Sequence, residues 1–367
     1  MRQEATQEKT PTGVLLRYFQ ENNSILTERP TIDGNRYFKD LNDPTKRPLW
    51  EIDPDFINPY KELPPVQTWC FMGDRKAIPK EGIITFSAKQ KRGKSLSTYA
   101  FAIPLLKGSD FGTIHPIDRP NLIMVFDMEM GETTLTNRVR NQITTIGEYG
   151  SRFVVCNLKA KSIEDRISTI QEKVNAYNPD IIVIDQAAKL VRDINSTTET
   201  NIITDMLDKL SIGRSVWVVM HENKGDDTNM RGHLGSYLSF ANVEAYTVDY
   251  KGGLFTVTYK EGRDTDPNNA EPLQFAIDTN NGCIVDGSEQ AKQAQDTERS
   301  KWVQNMKHLF AGDESLSYSD VVSRIQQEGN GIKPEDAKNK FRKACEIGAL
   351  IKTGTGKRDP YTINATP

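Results

Sequence analysis

An apolar, partly β-branched run, Ile83-Ile84-Thr85-Phe86-Ser87, leads without interruption into Ala88-Lys89-Gln90-Lys91-Arg92-Gly93-Lys94-Ser95. No other feature of the chain limits its possible folds so sharply. A segment with apolar residues at helical spacing follows (Leu96, Tyr99, Ala100, Ile103). The order predicts a buried strand, a tight cationic turn and a helix opening near Leu96. Such a turn wraps phosphate oxygens with backbone N–H groups, and the helix N-terminus adds the positive end of its dipole. Lys94 is then placed to reach the β- and γ-phosphates and Ser95 to ligate Mg²⁺. Gly-Lys-Ser alone is a common tripeptide; the flanking strand and helix patterns carry the assignment. The candidate cradle is Ala88, Lys89, Gln90, Lys91, Arg92, Gly93, Lys94, Ser95 and Leu96, with its four cations serving the triphosphate. Ala88 stands where such loops usually begin with glycine. Alanine adopts positive φ less readily, so the loop is expected to enter its turn differently.

Around this motif, strand and helix patterns alternate from about 66 to 286, which predicts an α/β core with a largely parallel sheet. Strands are expected at Ile83–Ser87, Asn121–Asp127, Phe153–Cys156, Asp180–Asp185 and Ser215–Met220. Helices are expected at Leu96–Leu106, Thr133–Thr145, Ile163–Tyr177 and Thr198–Leu210. Val243–Tyr250, Leu254–Tyr259 and Leu273–Asp278 alternate more strictly and are separated by turn signals such as Gly252-Gly253, the pattern of an antiparallel extension. Residues 1–65 are polar, irregular and punctuated by proline. They read either as a disordered tail or as an arm that packs on another subunit, with one short helix candidate at Val14–Phe19. Residues 287–297 contain no large apolar side chain and read as a linker to a C-terminal module, 298–367.

Two further strands end in acids. Pro179-Asp180-Ile181-Ile182-Val183-Ile184-Asp185 delivers a carboxylate to the end of the sheet, beside the phosphate loop, where Asp185 is suited to the hydration shell of Mg²⁺. Met124-Val125-Phe126-Asp127-Met128-Glu129-Met130 offers the carboxylate that nucleotide hydrolysis needs to orient water. Glu129 is the first candidate for that role; Asp127 is the second, with capping of the strand end as its alternative.

The set Ala88–Ser95, Phe126–Met130 and Ile181–Asp185 resembles the RecA-like ATPases, and within them the branch of plasmid RepA-type and DnaB-type hexameric helicases. The resemblance covers about residues 66–286. It implies a RecA-like P-loop core, ATP and Mg²⁺ as cofactors, and Glu129 as the residue that activates water. It further implies that His221, closing Val216-Trp217-Val218-Val219-Met220-His221, senses the γ-phosphate, although a histidine at a strand end is as readily a structural hydrogen-bonding residue. In the family the segment matching Lys224–Gly232 forms loops lining a central DNA channel, which makes Arg231 a candidate DNA contact. Tyr259-Lys260-Glu261-Gly262-Arg263 is similar to the region supplying basic fingers to a neighbouring subunit's nucleotide. The spacing here is one residue longer, so the acting residue, Lys260 or Arg263, stays open. A finger in trans makes turnover depend on assembly into a homo-oligomer, a hexamer in this family.

Beyond the linker, three short helical patterns precede a strand–turn–strand, the pattern of a winged helix-turn-helix. Between 333 and 358 there are eight Lys/Arg against three acids, although the whole chain carries a net charge of −3. Lys338, Arg342, Lys352, Lys357 and Arg358 are candidate DNA phosphate contacts. Docking of a protein partner is the other use of such a module. The reading is an ATP-hydrolysing, ring-forming DNA motor of a plasmid, phage or mobile element; the alternative is an ATP-dependent DNA-binding regulator or recombination accessory protein that does not unwind. The four cysteines are scattered without CxxC spacing and the four histidines lack ligand spacing, which speaks against zinc and for a reducing cytoplasm. No apolar run has the length of a membrane span, so no membrane partner is expected.

Overall fold

A computed structural model describes residues 55–62, 65–143, 148–223, 229–263, 270–328 and 332–364. The chain separates into two compact units, 1–65 and 66–367. The Val14–Phe19 helix candidate lies outside the described residues.

Its elements run β1 (Thr68–Met72), β2 (Arg75–Pro79), β3 (Gly82–Ala88), α1 (Lys94–Lys107), β4 (Ile114–Pro116), β5 (Ile123–Asp127), α2 (Glu132–Gln142), β6 (Phe153–Asn157), α3 (Ile163–Tyr177) and β7 (Ile181–Asp185). They continue with α4 (Thr197–Ser211), β8 (Ser215–His221), α5 (Gly232–Ala241), β9 (Glu244–Lys251), β10 (Leu254–Gly262), β11 (Leu273–Ile277) and β12 (Ile284–Asp286). The C-terminal part holds α6 (Ser288–Lys307), α7 (Tyr318–Glu328), α8 (Pro334–Glu346), β13 (Leu350–Lys352) and β14 (Tyr361–Ile363).

Nine strands form one sheet in the order β12-β11-β10-β9-β3-β8-β7-β5-β6. From β9 to β6 neighbours are parallel; β10, β11 and β12 continue antiparallel. Strands buried on both faces read as continuous apolar runs, which is why Ile181–Asp185 and Ser215–Met220 stood out. One face packs against α1 and the small β1–β2–β4 sheet through Phe86, Phe101, Trp217 and Tyr246. The other packs against α3, α4 and α5 through Ile170, Leu207, Leu234 and Val218.

β8 lies between β3 and β7, and β5 comes after β7; the Asp185 side chain nevertheless reaches the phosphate loop, where Ser95 hydrogen-bonds to it. The expected linker differs in form, because residues 288–297 are the first half of α6. Its Ala, Gln, Glu and Lys are good helix formers without an apolar stripe, so composition resembled a linker where propensity favours helix. Of that half only Ala291 is buried. Several elements went unread in the sequence, among them the small sheet and α5. The β1–β2–β4 sheet is built from short strands, and α5 (Gly-His-Leu-Gly-Ser-Tyr-Leu-Ser-Phe-Ala) has poor intrinsic propensity. Tertiary contact fixes α5: a Cβ on Gly235 would lie 2.5 Å from the Met230 backbone.

A buried ion pair joins the small sheet to the large one. Arg75 Nη2 donates to Glu244 Oε1 at 2.9 Å, and Tyr246 Oη and the Ile78 N–H donate to Glu244 Oε2. The Arg75 guanidinium also stacks on the Tyr259 ring at 3.4 Å. The C-terminal segment has its own apolar cluster, in which Phe341 of α8 meets Tyr318 and Tyr361 edge-on, each at 4.9 Å.

Candidate functional site

The C-terminal ends of β3, β8, β7 and β5 converge on the loop 88–95. Ala88 is fully buried at the end of β3, aligned with His221 in the parallel ladder, and its carbonyl accepts the Glu222 N–H at 3.0 Å. It has no positive φ. The left-handed positions of the loop are Lys91 (φ 61°) and Gly93 (φ 88°). Alanine at the loop's entrance thus meets no backbone requirement for glycine, because the turn is made three residues later. Gly93 is where glycine is indispensable: a Cβ there would sit 2.3 Å from the Phe255 ring.

Lys94 opens α1 and is buried, its Nζ donating to the Lys89 carbonyl at 3.3 Å. Burial pushes its pKa down, while the charges of Glu129, Asp185 and Glu222 push it back up. Three acids from three different strand ends thus face one ammonium. Lys89, Gln90 and Lys91 are exposed, and Gly93, Ser95 and Leu96 are half-buried. Arg92 departs from the expectation that all four cations serve the triphosphate. It is turned to β9, paired with Asp249 at 3.5 Å and donating to the Tyr250 carbonyl.

Asp185 is buried, and its pKa is raised to about 6, chiefly by desolvation. The Ser95 hydroxyl and Arg138 favour its charged form, and Asp127 and Glu129 oppose it. Its Oδ1 is a buried oxygen without a hydrogen-bond partner among the described residues. A buried hard oxygen left unsatisfied beside a serine hydroxyl fits a Mg²⁺ site completed by water and phosphate oxygens. Ser95 and Asp185 would hold that ion, which supplies charge neutralisation at the phosphates.

Asp127 is not aimed at the nucleotide. Its carboxylate accepts the N–H groups of Glu129 (3.0 Å) and Met130 (2.7 Å), the capping alternative of the sequence reading. Burial still raises its pKa. By folding the chain back, Asp127 presents Glu129, which is exposed at the mouth of the site and whose charge is felt by Lys94, His221 and Asp185. The Met128 N–H donates to the Asp185 carbonyl at 2.7 Å, tying the two acid-bearing strand ends together. His221 is half-buried, and burial and the nearby Lys94 lower its pKa, which keeps the imidazole neutral at neutral pH.

Two charged residues at the site were missed. Arg138 of α2 has a buried Nη1 without a partner among the described residues, and its charge acts on Asp127, Asp185 and Tyr99. The available signal was its place in Leu135, Arg138, Val139, Gln142, a charge on the inner face of an amphipathic helix. Glu222 accepts a hydrogen bond from Ser87 at 3.0 Å.

Of the remaining candidates, Lys260 and Arg231 act on residues of this site. Arg263 is exposed and donates to the Phe240 carbonyl of its own chain. The charge of Lys260 acts on Glu222, also within its own chain. Arg231 is exposed at the start of α5, its N–H donating to the His221 carbonyl at 2.9 Å; residues 224–228 of the expected channel loop lie outside the described residues. In the C-terminal segment Lys338 and Arg342 both pair with Glu335, at 3.6 and 3.3 Å, and Lys357 and Arg358 are exposed between β13 and β14. The Lys352 ammonium lies 5.9 Å from the centre of the Tyr361 ring.

Comparison with known proteins agrees with the geometry of the core. Residues 45–227 match the AAA domain family. That span takes in the phosphate loop and the strand ends described above, and the match supports a P-loop ATPase core. No curated protein sequence matches the chain. Among solved structures, a KaiC-like protein of the hyperthermophilic archaeon Pyrococcus horikoshii superposes with a TM-score of 0.42 at 13% identity, over 57% of this chain and 91% of that one. So loose a superposition adds nothing to what the strand order and the site already establish. Among the described residues no helix is long and apolar enough to cross a membrane.

Proposed function

We propose that this protein is an ATP-hydrolysing, ring-forming DNA motor similar to the plasmid RepA-type and DnaB-type replicative helicases. The observation that carries the reading is the convergence of Glu129, Asp185 and His221, from three strand ends, on the buried Lys94 of the phosphate loop. In this reading Lys94 and the loop's N–H groups hold ATP, Ser95 and Asp185 hold Mg²⁺, and Glu129 orients the attacking water. His221, neutral and at the tip of the inserted strand, registers the γ-phosphate. A basic residue after β10, Lys260 or Arg263, completes a neighbouring copy's site, so that turnover requires assembly.

The three helices and β-ribbon of the C-terminal segment support a winged-helix reading. There Lys338, Arg342, Lys352, Lys357 and Arg358 meet the phosphates of duplex DNA, while Arg231 meets single-stranded DNA in the channel of the ring.

Glu129→Gln tests the core of the proposal. Nucleotide binding should persist while hydrolysis falls by about 10²–10⁴-fold, as expected for loss of a general base; unchanged hydrolysis would remove Glu129 from this role. Sizing with ATP and Mg²⁺ should give a species near six times 41.4 kDa, and a strict monomer contradicts the ring. On a forked DNA substrate, DNA-stimulated hydrolysis without strand displacement favours the non-unwinding regulator.

A further inference from the structure

The tip of β8 carries a second polar residue that the ATPase reading leaves unused. Glu222 is half-buried, and its Oε1 accepts from Ser87 Oγ at 3.0 Å, on the strand that launches the phosphate loop. Its own N–H donates to Ala88 O at 3.0 Å. It is thus bound twice to the two residues that precede the loop. It also belongs to a stem: Glu222 and Met230 form an antiparallel bridge, Asn223 N–H donates to Asn229 O, and Arg231 N–H donates to His221 O, both at 2.9 Å.

Three cations act on this carboxylate. Lys89 and Lys94 act on it from the phosphate loop and Lys260 from β10; Lys94 feels it in return. Lys260 sits where the β9–β10 register shifts, between Tyr259 and Glu261. A bulge of this kind re-aims a side chain relative to a regular strand. Arg263, two residues beyond Glu261, is exposed and donates to the Phe240 carbonyl at the end of α5.

We infer that Glu222, anchored on Ser87 and Ala88 at the entrance of the phosphate loop, is a positioning residue that counter-charges the lysines of that loop, with Lys260 of β10 sharing its charge. This rests on the nucleotide-site reading above. A carboxylate fixed next to Lys94 opposes the entry of a polyphosphate, and Lys260 moderates that opposition by sharing the charge. The site therefore holds nucleotide less tightly than its lysines alone would.

The test is binding of a fluorescent ADP analogue to the full chain, measured on the wild type, Glu222→Gln, Lys260→Ala and the double variant, each checked for intact thermal unfolding. Glu222→Gln should tighten binding by about threefold to tenfold, the scale of one partly screened charge near the phosphates. Lys260→Ala should weaken binding in the wild-type background and have little effect beside Glu222→Gln. An affinity unchanged or weakened by Glu222→Gln overturns the inference, as does an equal cost of Lys260→Ala in both backgrounds. Should Glu222→Gln not fold, Ser87→Ala releases the carboxylate without removing it. An affinity change of at least about twofold is then expected, and no change overturns the inference. A wild type that binds no nucleotide overturns the underlying site reading instead.

Discussion

The phosphate-loop end of the sheet and the basic C-terminal segment both concentrate charge, and they do so in opposite ways. Around Lys94 most of the charges are buried or half-buried, Glu129 being exposed; they come from four strand ends and act on one another's pKa values. In the C-terminal segment they are exposed or half-exposed, and the ion pairs of α8 run to acids of the same helix. Buried charges that share a low-dielectric space interact strongly and are held in place. Exposed pairs are screened, each worth about 0–1 kcal/mol. The first region is organised before any ligand arrives. The second carries its charge on the surface of a segment ordered by its own apolar cluster.

Gly93→Ala should break this contrast most severely. The new Cβ meets the Phe255 ring, and the residue must hold φ 88°, so a loss of more than about 2 kcal/mol is expected together with nucleotide binding. Thermal unfolding and nucleotide titration measure the two. Retention of both would mean that the loop is not preorganised.

Asp185→Asn sharpens the contrast from the other side. The carboxylate's pKa in the fold, about 6, lies above its ordinary value, so the folded protein binds more protons than the unfolded chain across that window. Metal-free stability is accordingly lost as pH rises from about 4 through about 6, and the full cost is present at neutral pH. Removing the charge should raise metal-free stability at pH 7 by about 3 kcal/mol while abolishing Mg²⁺-dependent hydrolysis. The stability gain should disappear below about pH 4, as unfolding curves between pH 4 and 8 will register. A variant that is less stable at pH 7 contradicts the buried, unsatisfied carboxylate.

The smallest effect on the fold belongs to the other region. Lys357→Ala with Arg358→Ala should change stability by less than about 0.5 kcal/mol, weaken duplex DNA binding and reduce its salt dependence by about two phosphate contacts. Unaltered DNA affinity would take the β13–β14 turn out of the interface. Point substitutions suit this test better than truncation at 298, which cuts through α6.

Much of the core was readable because its signals are local. Continuous apolar strands ending in Ala88, Asp127, Asp185 and His221 announced a parallel sheet, and the loop sequence announced a phosphate site. Arg138 left only the signal of a charge on the inner face of its helix, and Glu222 left none, because nothing after a strand end tells which strand lies next door. Ala88 looked anomalous only while the position of the turn was unknown. The helical state of 288–297 was lost to a compositional argument that overlooked propensity.

By itself, then, the sequence determined the strand–loop–helix unit, the alternation that builds the sheet and the identity of the acids at the strand ends. These depend on backbone propensity and side-chain periodicity over a few residues. Tertiary structure alone decided that β8 lies between β3 and β7, that Arg92 turns to Asp249, and that Glu222 is anchored on Ser87. Those facts follow from strand order and burial. Both arise from packing distant segments into a common core, which no local pattern encodes.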